Sequence, residues 1–301
     1  MAKSTNGRVL FIIDPQNCFM DAVEQIGKAV RATLTKADFK PDPMPLPIDG
    51  AVADMQRLST YIKSAPYRYD AIVVTLDTHP ADHISHAIRW VDADGNQPDP
   101  FTLILSADYE AGKWFAADPA EQKKQGQYLK DLEAAGRLHT IWPPHGNEEL
   151  FEHQVQSDLQ DALDYWESTT GNQVRYVKKG MHRDTEQFGI FAATVPVPNA
   201  PETLYNQELA DYLNSFAFVD IAGEASSHCA LDSTEQYLSG VPESDWSKVT
   251  VFTDTMSPVA AVVDQKSGTM IADFPAQADT WLAGLPGRGV AVTTTSERMA
   301  A

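Results

Sequence analysis

Cys229 is one of only two cysteines in the chain, and its surroundings are AGEASSHCALDSTEQYL, where a strand-like run passes into a helix-like one. A thiol at a helix N-terminus faces the positive end of the helix dipole, which lowers its pKa toward the nucleophilic thiolate. Free cysteines are more often inert core residues, so partners must decide. Asp14 ends the apolar run in VLFIIDPQNCF, and Lys179 follows another in YVKKGMHRD. Taken singly, Asp14 reads equally well as a turn cap and Lys179 as a solvated surface lysine. Together they make a coherent nucleophilic site: the carboxylate accepts the thiol proton and the ammonium favours the thiolate.

A second constellation is Asp77-Thr-His79, with His83 four residues on and His145 in IWPPHG. In a strand, residues i and i+2 project to the same side, so Asp77 and His79 can converge. One carboxylate and two or three imidazoles suit a divalent ion, Zn²⁺, Fe²⁺ or Mn²⁺. His83 reads equally as a turn residue bonded to its own backbone. His86, His139 and His182 have no comparable partners, and His153 falls in a helix-like stretch.

These residues need a frame. Short runs apolar throughout suit parallel strands covered on both faces: Val9–Ile13, Ala71–Leu76, Val174–Val177, Phe216–Ala222, Val249–Phe252 and Gly289–Thr293. Helix-like stretches alternate with them, at Asp49–Ser64, Glu148–Glu167, Thr203–Leu213, Cys229–Ser239 and Ala276–Leu285. The alternation predicts an α/β/α three-layer sandwich with a mostly parallel central sheet, in a single domain over 1–301. Lys40–Ile48, with four prolines, reads as an extended loop. His86–Arg137 reads as an insertion, roughly 86–137, serving as a lid or an oligomer contact, with a helix in AEQKKQGQYLKDLEAAG. In open parallel sheets ligands sit beyond the carboxyl ends of the strands, and Asp14, Asp77, Lys179 and the 223–229 turn all fall there.

Composition narrows the partners. With 23 Lys and Arg against 42 Asp and Glu the formal charge is −19, which disfavours nucleic acid and anionic membranes. No uninterrupted apolar run is long enough to span a bilayer. The start, MAKSTNGRVLFIID, lacks the pattern of a signal peptide. A small molecule is the expected partner and the cytoplasm the expected compartment.

The segments IIDPQNCF at 12–19, LDTHPADHIS at 76–85, WPPH at 142–145, KG at 179–180 and GEASSHC at 223–229 together resemble the isochorismatase-like cysteine hydrolases, and among them the nicotinamidases. The resemblance implies a metal-dependent amidohydrolase that converts nicotinamide, and analogues such as pyrazinamide, to the acid and ammonia through a thioester, in NAD salvage. It makes Cys229 the nucleophile, Asp14 the general base and Lys179 the third member of the triad. Asp77, His79 and His145 would hold one divalent metal ion, with His83 at a position that is a ligand in some members only. Phe19 and Trp142 would wall the heteroaromatic ring, and the N–H groups of Ala225 and Cys229 would form the oxyanion hole. A cis peptide is expected at Glu224–Ala225. Two residues depart from the pattern: Glu224 replaces an apolar residue and Ser227 an acid. Lys178 leaves a one-residue ambiguity in the triad, settled for Lys179 because it directly precedes Gly180. Rival readings are amide hydrolysis of N-carbamoyl or ureido substrates on the same fold, and a non-catalytic binding module.

Overall fold

The computed structural model describes residues 7–21, 45–263 and 268–300. Six strands form one parallel sheet: β1 (Arg8–Ile13), β2 (Ala71–Asp77), β3 (Arg175–Lys179), β4 (Phe218–Gly223), β5 (Val249–Phe252) and β6 (Ala291–Thr293), in the spatial order β6-β5-β4-β1-β2-β3. All six coincide with the apolar runs expected to be strands. The chain winds outward from β1 in one direction and later from β4 in the other. The crevice between β1 and β4 is therefore the point where the winding reverses and where such sheets bind ligands.

The period-2 projection of side chains sorts β1 into two cores. Leu10 and Ile12 join Met55, Leu58 and Tyr61 of α1 (Ala51–Ser64) and Leu159, Leu163 and Trp166 of α3 (Ser157–Thr170) on one face. Val9, Phe11 and Ile13 join Leu209 and Leu213 of α4 (Gln207–Asn214) and Ala230, Tyr237 and Leu238 of α5 (Cys229–Gly240) on the other. Burial on both faces explains why the inner strands β1, β2, β4 and β5 are largely apolar throughout, whereas β3 at one edge alternates between half-buried and exposed residues. The last long helix is α6 (Phe274–Gly284).

The insertion carries a core of its own. Ile84, Trp90, Ile104, Tyr109 and Ile141 pack against Tyr128, Leu129 and Leu132 of α2 (Gln122–Ala134), the helix expected in that segment. Two short antiparallel ribbons, Trp90–Val91 with Phe115–Ala116 and Leu103–Ile104 with His139–Thr140, close it.

Two helix starts differ from expectation. Glu148–Glu167 does not begin a helix at 148; α3 starts at Ser157, where the Gln156 side chain accepts from Leu159 N (3.0 Å). The preceding residues fold back because Glu152 accepts hydrogen bonds from Gly146 N (3.0 Å) and Asn147 N (2.7 Å). His153 accordingly sits in a short 3₁₀ turn, not in the helix. Thr203–Leu213 likewise becomes a turn followed by α4, capped by Asn206 on Leu209 N. Of the Lys40–Ile48 loop, residues 40–44 lie outside the described residues. Its remainder runs beside Cys18–Phe19, with Leu46 N donating to Cys18 O and Ile48 N to Phe19 O.

Candidate active site

β2 and β3 pair in a register that sets Asp77 beside Lys179. Alternation along β3 turns Lys179 inward, with its side chain 1% exposed, while the side chain of Lys178 is 38% exposed and pairs with Glu148. Gly180 must be glycine here: at φ +75°, a Cβ would stand 2.8 Å from His79 Nε2 and 3.1 Å from Asp77 Oδ1. Gly223 is constrained more tightly still. At φ +110°, its Cβ would fall 2.0 Å from Ile13 O, so the end of β4 can press against the end of β1 only without a side chain. That contact brings the Cys229 turn to Asp14.

The result is a buried four-group cluster. Lys179 Nζ lies 2.7 Å from Asp77 Oδ1, 3.0 Å from Asp14 Oδ2 and 3.6 Å from Cys229 Sγ. Asp14 adopts φ +45° and is steadied by Thr75, whose hydroxyl donates to Asp14 Oδ1 (2.6 Å) and accepts from Asp14 N (3.0 Å). Gln16 steadies Asp77, accepting from Asp77 N (2.6 Å) and donating to Asp77 O (2.9 Å). Neither Thr75 nor Gln16 stands out in the sequence, because each acts through a neighbouring strand end.

Burial works against the ammonium of Lys179, but Asp14 and Asp77 outweigh it and hold the group charged, well above its usual pKa. Burial raises the Asp14 carboxyl against the opposing pull of Lys179. The helix N-terminus leads one to expect a lowered thiol, yet burial pushes Cys229 well above its usual value, with Lys179 opposing and the two carboxylates adding to the rise. These shifts favour the proton on sulfur, with a carboxylate whose own affinity for protons is raised beside it to receive it.

The turn from Gly223 to Cys229 contains the expected cis peptide at Glu224–Ala225. Ala225 O accepts from both His228 N and Ala230 N (3.0 Å each); the N–H groups of Ala225 and Cys229 are not spent on closing the turn. The two unusual residues are structural anchors. Glu224 Oε2 accepts from Ser257 N (3.0 Å), and Ser227 Oγ accepts from Val259 N (3.0 Å) while touching His228 Nδ1 (2.9 Å). Burial, then the nearby Asp54, raises the Glu224 carboxyl, which favours its neutral form.

Above this turn is a pocket lined by Phe19, Trp142, Phe188, Val259, His228 and Cys229, with Asp77, His79, His145 and Lys179 also on its wall. Phe19 meets His145 edge-on at 5.8 Å, and Trp142 meets His228 at 5.6 Å. Phe19 and Trp142, singled out in the sequence, both line this pocket; Phe188 and His228 carried no signal. Cys18 is buried, and burial, followed by the nearby carboxylates of Glu152, Asp77 and Asp14, raises its thiol well above the usual value.

The second constellation also converges. Asp77 Oδ2 is 3.2 Å from His145 Nε2 and 3.6 Å from His79 Nδ1. His145 Nδ1 faces Pro143 O (2.8 Å) and must donate to it, which turns Nε2 toward Asp77. His83 packs on His79 with ring centroids 4.2 Å apart. Its Nε2 donates to Thr185 O (3.0 Å) and its Nδ1 faces Ser85 Oγ (2.7 Å), so both ring nitrogens have partners. Two residues passed over in the sequence enter the cluster. His79, His86 and His145 bring three donor atoms within 4.8 Å of one another, and so do His79, His83 and Glu186. His86 is recognisable in hindsight by its place one turn after His83, whereas nothing in HRDTEQF marks Glu186.

A divalent ion fits these residues. Both nitrogens of His79, Nε2 of His86 and Oε2 of Glu186 are buried without a hydrogen-bond partner, a costly condition that a cation would relieve. Burial lowers His79 to about 3, leaving the neutral imidazole that metals require. Burial and then Asp77 raise Glu186 to about 7 in the metal-free chain.

No family model matches the chain and no curated protein matches its sequence. In three dimensions it is similar to the yeast nicotinamidase Pnc1p, with 17% identity over 95% of this chain and 99% of that one, at a TM-score of 0.55. An Acinetobacter baumanii nicotinamidase and pyrazinamidase aligns over 98% of this chain and 99% of its own at 16% identity, TM-score 0.55. The pyrazinamidase of Pyrococcus horikoshii, solved in complex with zinc, aligns over 95% and 98% at 16% identity, TM-score 0.50. The chain thus has the α/β fold of these nicotinamidases and pyrazinamidases, the fold its motifs implied.

Proposed function

We propose that this chain is a cysteine amidohydrolase that converts nicotinamide, and analogues such as pyrazinamide, to the corresponding acid and ammonia, returning nicotinamide to pyridine nucleotide synthesis. One observation carries the reading: Lys179 Nζ bridges Asp14, Asp77 and Cys229 Sγ at 3.0, 2.7 and 3.6 Å, beneath a pocket walled by Phe19 and Trp142. Nicotinaldehyde and nicotinate, the ligands of two proteins of the same fold, are flat pyridines of the kind that such walls suit.

In this reading Asp14 takes the proton from Cys229 Sγ as sulfur adds to the amide carbonyl carbon. The N–H groups of Ala225 and Cys229 donate to the developing oxyanion. Asp14 then returns the proton to nitrogen, the C–N bond breaks, and ammonia leaves. Water, giving a proton to Asp14, adds to the thioester, and the C–S bond breaks to release the acid and restore the thiol. Lys179 keeps both carboxylates in place and compensates their charge throughout. Asp77, His79 and His145 would hold a divalent ion, which would supply a Lewis-acid site on the pocket wall.

The test is ammonia release from nicotinamide by metal-supplemented protein, with Cys229→Ala as control. Loss of the nucleophile is expected to lower turnover by about 10⁴-fold or more with the fold unchanged by circular dichroism. Undiminished ammonia release by the Cys229→Ala protein would sink the assignment.

A further inference from the structure

Glu186 lies in the loop that follows β3, 4% exposed, with Oε1 3.8 Å from His79 Nε2. Its other oxygen, Oε2, is buried and has no hydrogen-bond partner. A buried carboxylate with one oxygen near an imidazole and the other without a partner is an expensive arrangement unless a cation stands beside it. The backbone that carries it is fixed from both sides. Thr185 O accepts from His83 Nε2 (3.0 Å), and Glu186 O accepts from Thr194 N (3.1 Å). Of the donor triad His79, His83 and Glu186, His83 has committed both nitrogens, to Thr185 O and Ser85 Oγ. Glu186 and His79 retain free lone pairs.

We infer that Glu186 is a direct ligand of the divalent ion, joining Asp77, His79 and His145, and that His83 is the positioning residue that holds the Thr185–Glu186 peptide in place. The inference rests on the metal reading above and adds to it a ligand from a separate loop. Two carboxylates match the charge of a divalent ion, and each added oxygen donor suits Mn²⁺ better than it suits Zn²⁺. The site is therefore more tolerant of Mn²⁺ than a donor set with one carboxylate would be.

The experiment is a titration of the chelator-stripped full chain with Mn²⁺, the free ion being followed by electron paramagnetic resonance, and a parallel titration with Zn²⁺ against a chromophoric chelator. Losing a residue that merely orients a ligand weakens metal binding about 10–100-fold, so Glu186→Gln is expected to weaken Mn²⁺ by about 100-fold or more. Its effect on Zn²⁺ is expected to be smaller. Glu186→Asp, which keeps the charge, should recover part of the loss, and thermal melts of the metal-free variants establish that they are folded. Asp77→Asn serves as the reference for a lost ligand. Wild-type affinity in Glu186→Gln alongside weak binding in Asp77→Asn would overturn the role of Glu186 and leave the metal reading standing. Equal losses for both ions, in step with a lowered melting temperature, would also overturn it by marking a structural role. A wild-type chain that binds neither ion would remove the metal reading and this inference together, whether or not it releases ammonia.

Discussion

The strand-end corner around Cys229 and the histidine cluster around His79 share Asp77 but are built by different means. The corner is set by the sheet: pairing of β2 with β3 aligns Asp77 with Lys179, and Gly223 lets the end of β4 approach the end of β1. The cluster is set by the loops that leave β2 and β3 and by the loop that carries His145. Arg89, almost fully buried, ties them together. Its guanidinium donates to Asp82 O (3.0 Å) and Arg183 O (3.3 Å) and pairs with Asp184 (2.9 Å) and Glu121 (3.1 Å). One guanidinium thus joins the loop of His83 and His86, the loop of Glu186, and the turn that leads into α2. The corner inherits its geometry from backbone pairing, whereas the cluster depends on a side-chain hub that belongs partly to the insertion.

That contrast can be broken most forcefully at Lys179. Lys179→Ala removes the only cation the corner's two carboxylates share at close range among the described residues, and turnover in the ammonia assay is expected to fall about 10⁴-fold. Activity within tenfold of wild type would show that the corner does not work as a unit. The cluster should be more sensitive to its hub. Arg89→Ala leaves Asp184 its pair with Lys124 (2.6 Å) but frees two carbonyl groups, and about 2 kcal/mol of stability should be lost in urea denaturation, with metal affinity falling alongside. Full metal affinity in a destabilised Arg89→Ala protein would show that the cluster does not lean on the insertion.

A more gradual effect is expected from acid. His139, packed against Trp90 in the insertion core, is lowered by burial to about 3. Its folded pKa lies below the unfolded value near 6.5, so its contribution is present above that pH and is lost as pH falls toward 3. The slope approaches about 1.4 kcal/mol per pH unit. His139→Phe should flatten the acid limb of the stability profile between pH 6.5 and 3; an unchanged limb would mean that the ring is not held neutral.

The same contrast explains what the sequence disclosed. Asp14, Asp77 and Lys179 could be read because each ends or directly follows an apolar run, and Cys229 because it opens the helix after another, and strand ends converge by rule. Even the choice between Lys178 and Lys179 follows from period-2 alternation once β3 is seen to continue to residue 179. Phe19, Trp142 and His145 came from local motifs. Glu186 and His86 could not be read this way, since their place depends on Arg89 and on contacts between loops distant in sequence. The start of α3 was misplaced for a related reason: Glu152 spends its carboxylate on Gly146 and Asn147, and nothing within 148–156 announces that long reach back.

Lys179 sits at bonding distance from two acids and a thiol at once, so protons added to or taken from any one of these groups alter the field at the others. Titration of the corner is then a property of the set, with macroscopic steps that no single residue owns. The pH at which Cys229 becomes reactive toward an alkylating reagent will differ from its intrinsic acidity, and it will move whenever Asp14 or Asp77 is replaced. The chain carries one composite acid-base unit at the end of its sheet, and its pH–rate curve will be the signature of that unit.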